Sequence, residues 1–269
     1  IAYATFLSGS NDGKENLDNK YYVAVRMLGY QLMHCPETRT KRKIPFLVIV
    51  TDDVPEIRRK RLEADGAQVI PVENVPMPSW MKPLETRWSV VVTKFRLWQL
   101  TDYSRIMFLD GDTVLRENID DIFDLESTQE ILNMEELLEP DFNATTLPPE
   151  PDEYLLAGNA DMTLHHETPA RVPADFINNN LNWINGGFFM LGPSQAMFEY
   201  YVTLSHIPHS TAGDCPEQQV MSVAHKPASE GGRMPWKFVG VEWNALYANP
   251  RDAGLEDVKG TKTLHLKWW

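Results

Sequence analysis

The sequence predicts an α/β fold, an open and largely parallel sheet with helices on both faces. Two observations carry this expectation. Through the first half of the chain, short apolar runs alternate with amphipathic stretches, the β-α-β-α-β-α-β rhythm of a parallel sheet with crossover helices. The composition also allows it: 43% hydrophobic and 10% aromatic residues in a chain of 269 can bury a sizeable core, which excludes global disorder.

Taken in order, AYATFL (2–7) reads as a buried strand, and YYVAVRMLGYQLMH (21–34) has helical spacing behind a polar loop. IPFLVIVT (44–51) is the strongest strand signal and runs into Asp52 and Asp53. Pro55 then opens a charged helix that Gly66 stops, and AQVIPV (67–72) is a third strand. SVVVTKFRLWQL (89–100) follows as a helix, with Trp88, Val91, Phe95 and Trp98 on one face. RIMFLD (105–110) is the fourth strand. Residues 126–180 are rich in prolines and polar side chains and read as a long surface excursion, with one helix at 129–138. Order returns in NWINGGFFMLGPS (182–194), a glycine pair leading into a strand. Helices are expected at SQAMFEYYVTLSHI (194–207) and EQQVMSVAH (217–225). WKFVGVEWNALY (236–247) reads as strand and loop, and TKTLHLKWW (261–269) as an extended piece. The expectation is one domain over 1–269 with a loop-rich insertion at about 126–180.

Charge narrows the partners. With 38 acidic against 25 basic side chains, the formal net charge of −13 argues against nucleic acid, which needs a basic face. A nucleotide is still allowed, since it needs only a local cluster of donors or a metal ion. Cys35 and Cys215 make neither a disulfide framework nor a thiolate metal site. No apolar run is long enough to span a membrane. The chain opens on Ile1 rather than methionine, and Asn143-Ala144-Thr145 matches a glycosylation acceptor, so a Golgi or secretory lumen is favoured over the cytoplasm.

The chemistry concentrates at RIMFLDGDTVL (105–115), where a buried strand delivers Asp110 and Asp112 to its own carboxyl end. In parallel α/β sheets, ligands bind beyond those ends. Two adjacent carboxylates repel each other, and a cation compensates them. In an extended segment they share a face, with Gly111 between them leaving room for phosphates. Oxygen ligation suits Mg²⁺ or Mn²⁺, and a histidine ligand tilts the choice to Mn²⁺. The plain alternative is a turn in which each Asp caps a neighbouring N–H.

Two enzyme classes carry such a motif. FLDGDTV resembles the haloacid-dehalogenase phosphatase signature, but there the motif usually ends the first strand, and here three strand-helix units precede it. The wider resemblance is to glycosyltransferase family 8, the glycogenin-like retaining enzymes of the GT-A fold, in the flavour of a fungal N-acetylglucosaminyltransferase-like branch. VVTKFRLWQLTDYSRIMFLDGDTVL (91–115) resembles that family's signature, and NWINGGFFMLGPS its Asn-(small)-Gly strand entry. EQQ (217–219) resembles its Asp-Gln element with Glu217 in place of Asp, and WNALY followed by His265 and Lys267 resembles its closing segment.

The resemblance implies a metal-dependent retaining transfer of a hexosyl group from a UDP-sugar to a carbohydrate or protein acceptor. Asp110, Asp112 and His265 would hold the metal, and Lys94 and Lys267 would face phosphate or sugar, each being otherwise a solvated lysine. Thr5, Leu7 and Tyr22 are placed like uridine-binding residues, Tyr22 being equally a plain core residue. Asp161, Asn185 and Gln218 would surround the donor sugar, with Gly186 and Gly187 admitting it close to backbone or serving only a packing bulge. Gln218 would lie near the anomeric carbon, and Glu217 would stabilise charge there or act as a nucleophile. Segment 236–247 and the insertion are expected to shape the acceptor site. One departure stands out: the family's closing His-x-x-Gly-x-x-Lys-Pro-Trp is here His265-Leu266-Lys267-Trp268-Trp269, without the glycine turn. A non-catalytic sugar-nucleotide-binding protein on the same fold is the further alternative.

Overall fold

The computed structural model describes residues 1–9, 17–134, 150–161, 183–208, 210–211, 213, 215–226, 234–247 and 260–266. Its centre is a seven-stranded sheet in the order β10-β8-β9-β4-β1-β2-β3. These are β1 (Ala2–Leu7), β2 (Phe46–Thr51), β3 (Gln68–Val72), β4 (Ile106–Leu109), β8 (Leu156–Ala160), β9 (Ile184–Leu191) and β10 (Lys237–Phe238). β1, β2, β3 and β4 are mutually parallel. β9 pairs antiparallel with both β4 and β8, and β10 runs parallel to β8. One strand thus opposes the other six, and the sheet is mostly parallel.

Alternation along the central strands sorts their side chains between two layers. Leu47 and Ile49 of β2 and Ile106 and Phe108 of β4 face one cluster, and Phe46, Val48, Met107 and Leu109 face the other. On the second face lie helix α1 (Lys20–Met33), through Tyr22, Val25, Leu28 and Leu32, and α2 (Glu56–Ala64), through Leu62. The first face carries a 3₁₀ helix (Thr86–Gln99), α3 (Gln195–His206) and α4 (Pro216–Ala224). Trp98 anchors that layer, stacked on Phe189 at 5.7 Å and edge-on to Tyr201 at 4.8 Å.

Local chemistry sets the ends. The Asn19 side chain accepts from the Tyr22 N–H and caps α1, as Ser194 accepts from Met197 and caps α3. Pro55 precedes α2, and Gly66, at φ 104°, follows it in the left-handed conformation that glycine adopts without strain. Pro71 is tolerated in β3 because that strand is the sheet edge. In the 3₁₀ helix the period is three residues, so Val92, Phe95 and Trp98 share one line and Val91, Lys94 and Leu97 the next.

Part of the region expected as a surface excursion belongs to the sheets. β8 lies inside it yet is buried along its whole length, between β10 and β9 in the sheet. Its sequence, LAGNA, is too short and too poor in bulky residues to announce a strand. Leu132–Asn133 (β6) pairs antiparallel with Glu153–Tyr154 (β7) where the start of a helix was expected. Residues 135–138 of that helix and Asn143 lie outside the described residues. A small sheet, β11-β12-β5, completes the fold from Ala245–Tyr247 (β11), Thr263–Leu266 (β12) and Thr113–Leu115 (β5). No helix among the described residues is long and apolar enough to cross a membrane.

His225, at the end of α4, is fully buried. Its Nδ1 lies 2.7 Å from the Met234 carbonyl, which can only accept, so Nδ1 carries the proton and Nε2 accepts from the Tyr201 hydroxyl. Burial pushes its pKa down from 6.5 to about 4. Between those values the unfolded chain binds more protons than the native one. The stability is therefore complete above pH 6.5 and is lost as pH falls toward 4, at roughly 1 kcal/mol per pH unit. Denaturant melts between pH 7 and pH 5 should show this slope, and His225→Gln, which keeps one donor and one acceptor, should flatten it. Identical profiles in the two proteins would mean that His225 titrates normally.

Candidate active site

β4 ends at Leu109, and the chain turns at once, the Thr113 N–H donating to the Asp110 carbonyl at 3.0 Å. Asp110 and Asp112 therefore sit in a tight turn, not in the extended segment expected from their spacing. The turn hands the chain from the large sheet to the small one. β5 starts at Thr113, directly opposite His265 of antiparallel β12, and the Leu266 N–H donates to the Asp112 carbonyl at 3.0 Å. This register carries the imidazole to the carboxylates. His265 Nε2 lies 3.0 Å from Asp112 Oδ1 and 3.9 Å from Asp110 Oδ2. One ligand atom from each of the three residues falls within 4.8 Å of the others. Two carboxylates and one imidazole, converging on one point, are a donor set that fits a divalent cation.

β9 brings the next elements because it runs backwards. Its start lies beside the end of β4, where the Asp110 N–H donates to the Gly187 carbonyl at 2.8 Å. Between the pairs Gly158↔Phe189 and Ala160↔Ile184, β9 uses more residues than β8, so Asn185-Gly186-Gly187 bulges out of the ladder. The bulge is what glycine permits: a Cβ on Gly187 would stand 2.4 Å from His265 Cε1 and 2.6 Å from Asp110 Oδ2.

Lys94 reaches this place from the 3₁₀ helix. It is buried, and its ammonium meets Asp110 Oδ1 at 2.9 Å, Glu217 Oε1 at 3.1 Å and the Gly186 carbonyl at 3.2 Å. Burial alone would lower its pKa, but the Asp110 and Glu217 carboxylates outweigh desolvation and hold it above the usual lysine range. The solvated-lysine alternative is thereby replaced by a buried cation joining three acceptors.

A cleft of about 320 Å³ opens over these groups. At one end the first turn of α4 supplies Glu217 and Gln218. The Gln218 amide oxygen accepts from the Gly186 N–H at 2.8 Å and its nitrogen donates to Asp161 Oδ2 at 2.5 Å. The Asn185 oxygen accepts from Gly187 N–H at 3.1 Å and from Asn244 at 3.3 Å. At the other end lie Phe6, Leu7, Ser8 and Tyr21.

Not every expected residue is there. Thr5 is fully buried two residues down β1 from Leu7, and its hydroxyl does not line the cleft. Tyr22 is a core residue with Arg26 and Arg58 over its ring, at 5.8 and 5.6 Å, and its neighbour Tyr21 lines the cleft instead. Gly111 does line it, but a Cβ there would meet Val25 Cγ2 at 3.1 Å, so packing against α1 already requires the glycine. Trp236 and Trp243 are buried and do not line the cleft. Lys267 lies outside the described residues. Trp88, Val91 and Cys215 line the cleft without having been expected there. Trp88 and Val91 were expected on one helix face with Phe95 and Trp98, and the three-residue period separates them from that pair. Cys215 precedes Pro216, the first residue of α4, which is the one local hint that it sits at the mouth of a helix.

The profile of glycosyl transferase family 8 matches residues 16–250. This chain belongs to glycosyltransferase family 8. An uncharacterized protein of Schizosaccharomyces pombe is 24% identical over 93% of this chain and 68% of its own length. Galactinol synthase 2 of Arabidopsis thaliana is 34% identical over 129 residues, which span 48% of this chain and 35% of that protein. The structure of mouse xyloside xylosyltransferase 1 superposes with a TM-score of 0.55 at 14% identity, covering 99% of this chain and 97% of that one, a likeness of fold. The fold is GT-A, and the activity of the family is glycosyl transfer. Neither family nor topology supports the phosphatase reading of DGDTV.

In this family 8 chain the approach of His265 to Asp110 depends on the missing Cβ of Gly187. Gly187→Ala should leave the fold intact at a cost of about 1–3 kcal/mol while displacing His265 or Asp110. Thermal melts with and without Mn²⁺ check it: the wild type should be stabilised by the cation and the variant should not.

Proposed function

We propose that this protein is a divalent-cation-dependent retaining glycosyltransferase that moves a hexosyl group from a UDP-sugar to a carbohydrate or protein acceptor. The observation that carries the reading is the convergence of Asp110, Asp112 and His265 on the floor of a cleft in a family 8 chain. Mn²⁺ is favoured over Mg²⁺ because one of the three ligands is nitrogen.

Asp110, Asp112 and His265 would hold the cation, which supplies Lewis-acid neutralisation of the departing diphosphate. The chain's own groups do the rest. Phe6, Leu7 and Tyr21 offer the base an apolar and aromatic wall. Asn185, Asp161 and Gln218 offer hydroxyl partners on the opposite side. Lys94 fixes Asp110 and Glu217 relative to each other, so the metal side and the sugar side keep their spacing.

Retention is what the resemblance to family 8 implies, and the route to it follows from which groups are not available to attack. The Gln218 amide is neutral and engaged at both ends. A Glu217 oxygen is held in an ion pair with Lys94. The reading is therefore a front-face substitution: the bond from the anomeric carbon to the phosphate oxygen breaks, and the acceptor oxygen attacks from the same side. Its proton passes to the departing phosphate oxygen.

Thermal stability with UDP, with Mn²⁺ and with both tests this directly. At a hundredfold excess over its dissociation constant a ligand stabilises by roughly 2.7 kcal/mol, and the large shift should require both. Asp112→Asn should abolish that joint shift and reduce slow UDP release from UDP-sugars to background. Binding without any turnover would favour a non-catalytic sugar-nucleotide-binding protein. A variant with full activity would show that the metal is held elsewhere.

A further inference from the structure

Asn185 and Asn244 are both buried, and their side chains meet where the bulge of β9 touches the small sheet. Of the two, Asn185 lines the cleft and Asn244 does not. Asn244 follows the 3₁₀ turn Val241–Trp243 and precedes β11, whose ladder with β12 sets Leu246 opposite His265. The Thr263 hydroxyl donates to the Trp243 carbonyl and pins the chain one residue before Asn244. The sheet that brings the imidazole to the carboxylates thus also brings this amide to Asn185.

The donors decide which way both amides face. The Gly187 N–H can only donate, so the Asn185 atom 3.1 Å from it is the oxygen. That oxygen also lies 3.3 Å from the Asn244 amide, so the Asn244 atom there is the nitrogen. With two donors on its oxygen, Asn185 keeps Nδ2 at the other end, and among the described residues Nδ2 has no hydrogen-bond partner. Two N–H donors are therefore left for whatever fills the cleft that Asn185 lines. Asn244 itself gains little from the arrangement. Its own oxygen is enclosed without a partner among the described residues. A buried acceptor left unpaired is destabilising, and an apolar side chain of similar size would avoid that. Stability does not account for an amide here; its contact with Asn185 does.

We infer that Asn244, from outside the cleft, is a positioning residue for glycosyl transfer: it holds the Asn185 amide so that Nδ2 donates to a hydroxyl oxygen of the donor sugar. The inference rests on the reading above that the cleft takes a UDP-sugar. Gly187 alone would tie Asn185 only to its own strand, two residues away. Asn244 ties it to the small sheet as well, and so fixes the donor relative to His265 on β12. A hydroxyl oxygen accepts where Nδ2 donates, and its own O–H is left for another acceptor. A donor already oriented gives more to binding than one that must be ordered as the sugar enters.

The test compares UDP with UDP-sugars in the presence of Mn²⁺, on the whole chain. The probe is whichever of UDP-glucose, UDP-galactose and UDP-N-acetylglucosamine binds the unaltered protein most tightly. Asn244→Ala should leave UDP affinity unchanged and weaken the UDP-sugar about tenfold. Asn185→Ala should weaken it at least as much, and adding Asn244→Ala to that variant should change nothing further, because Asn244 acts through Asn185. A merely structural role would weaken UDP and UDP-sugar alike. That result, losses that add in the double variant, or an unchanged UDP-sugar affinity would each overturn the inference. Asn244→Ser, whose side chain is too short to reach Asn185, should reproduce the selective loss and serves where Asn244→Ala does not fold. If neither variant folds, the amide holds up the small sheet and the inference is overturned. If UDP binds the unaltered protein and none of the three UDP-sugars does, this inference falls and the nucleotide site stands. If UDP with Mn²⁺ does not bind at all, both readings fall.

Discussion

A lysine ammonium buried among carboxylates holds the functional end of this molecule together. Lys94 leaves the 3₁₀ helix, and its three acceptors belong to three other elements: the turn after β4, the bulge of β9 and the first turn of α4. Desolvating a lysine costs several kcal/mol, and here two carboxylates and a carbonyl offset that cost. Removing the cation would leave Asp110 and Glu217 facing each other at the bottom of a cleft. The contact therefore sets the spacing between the Asp110 side of the cleft and the Glu217 side.

The topology that makes this contact possible is the reversal of β9. Were β9 parallel to β4, its first residues would lie at the amino ends of the neighbouring strands, far from Asp110. Because it is antiparallel, Asn185, Gly186 and Gly187 arrive beside Asp110 as the strand begins. The small sheet uses a second local device, the turn at 110–113, to set Thr113 opposite His265. Residues more than 150 positions apart in the chain become neighbours through one ladder register.

Much of this was legible in the sequence, for identifiable reasons. FLVIVT and IMFL are apolar without alternation, which is what strands covered on both faces require, and the structure covers both faces. That Asp110, Asp112, His265, Lys94, Asn185, Glu217 and Gln218 would lie around one cleft was reachable because the resemblance to family 8 rests on ordered motifs. The misses are errors of phase and direction. Tyr21 and Tyr22 differ by about 100° around a helix, and only the packing of residues 22, 25, 28 and 32 on the sheet decides which tyrosine turns inward. Thr5 and Leu7 share a face of β1, but only Leu7 is close enough to the strand end to border the cleft. LAGNA lacks the bulk that marks a strand and is one only because β9 and β10 flank it.

The same charges that would be awkward in a plain core make sense together in this cleft. Asp110, Asp112, Asp161 and Glu217 line it, and among the described residues Lys94 and His265 are the basic side chains set among them. Among the described residues that line it, carboxylates outnumber the bases, so an anion entering alone would meet net repulsion, and a divalent cation between the aspartates would reverse the sign locally. Lys94 is thus the boundary between the two halves of this charge arrangement, joined to Asp110 on one side and to Glu217 on the other.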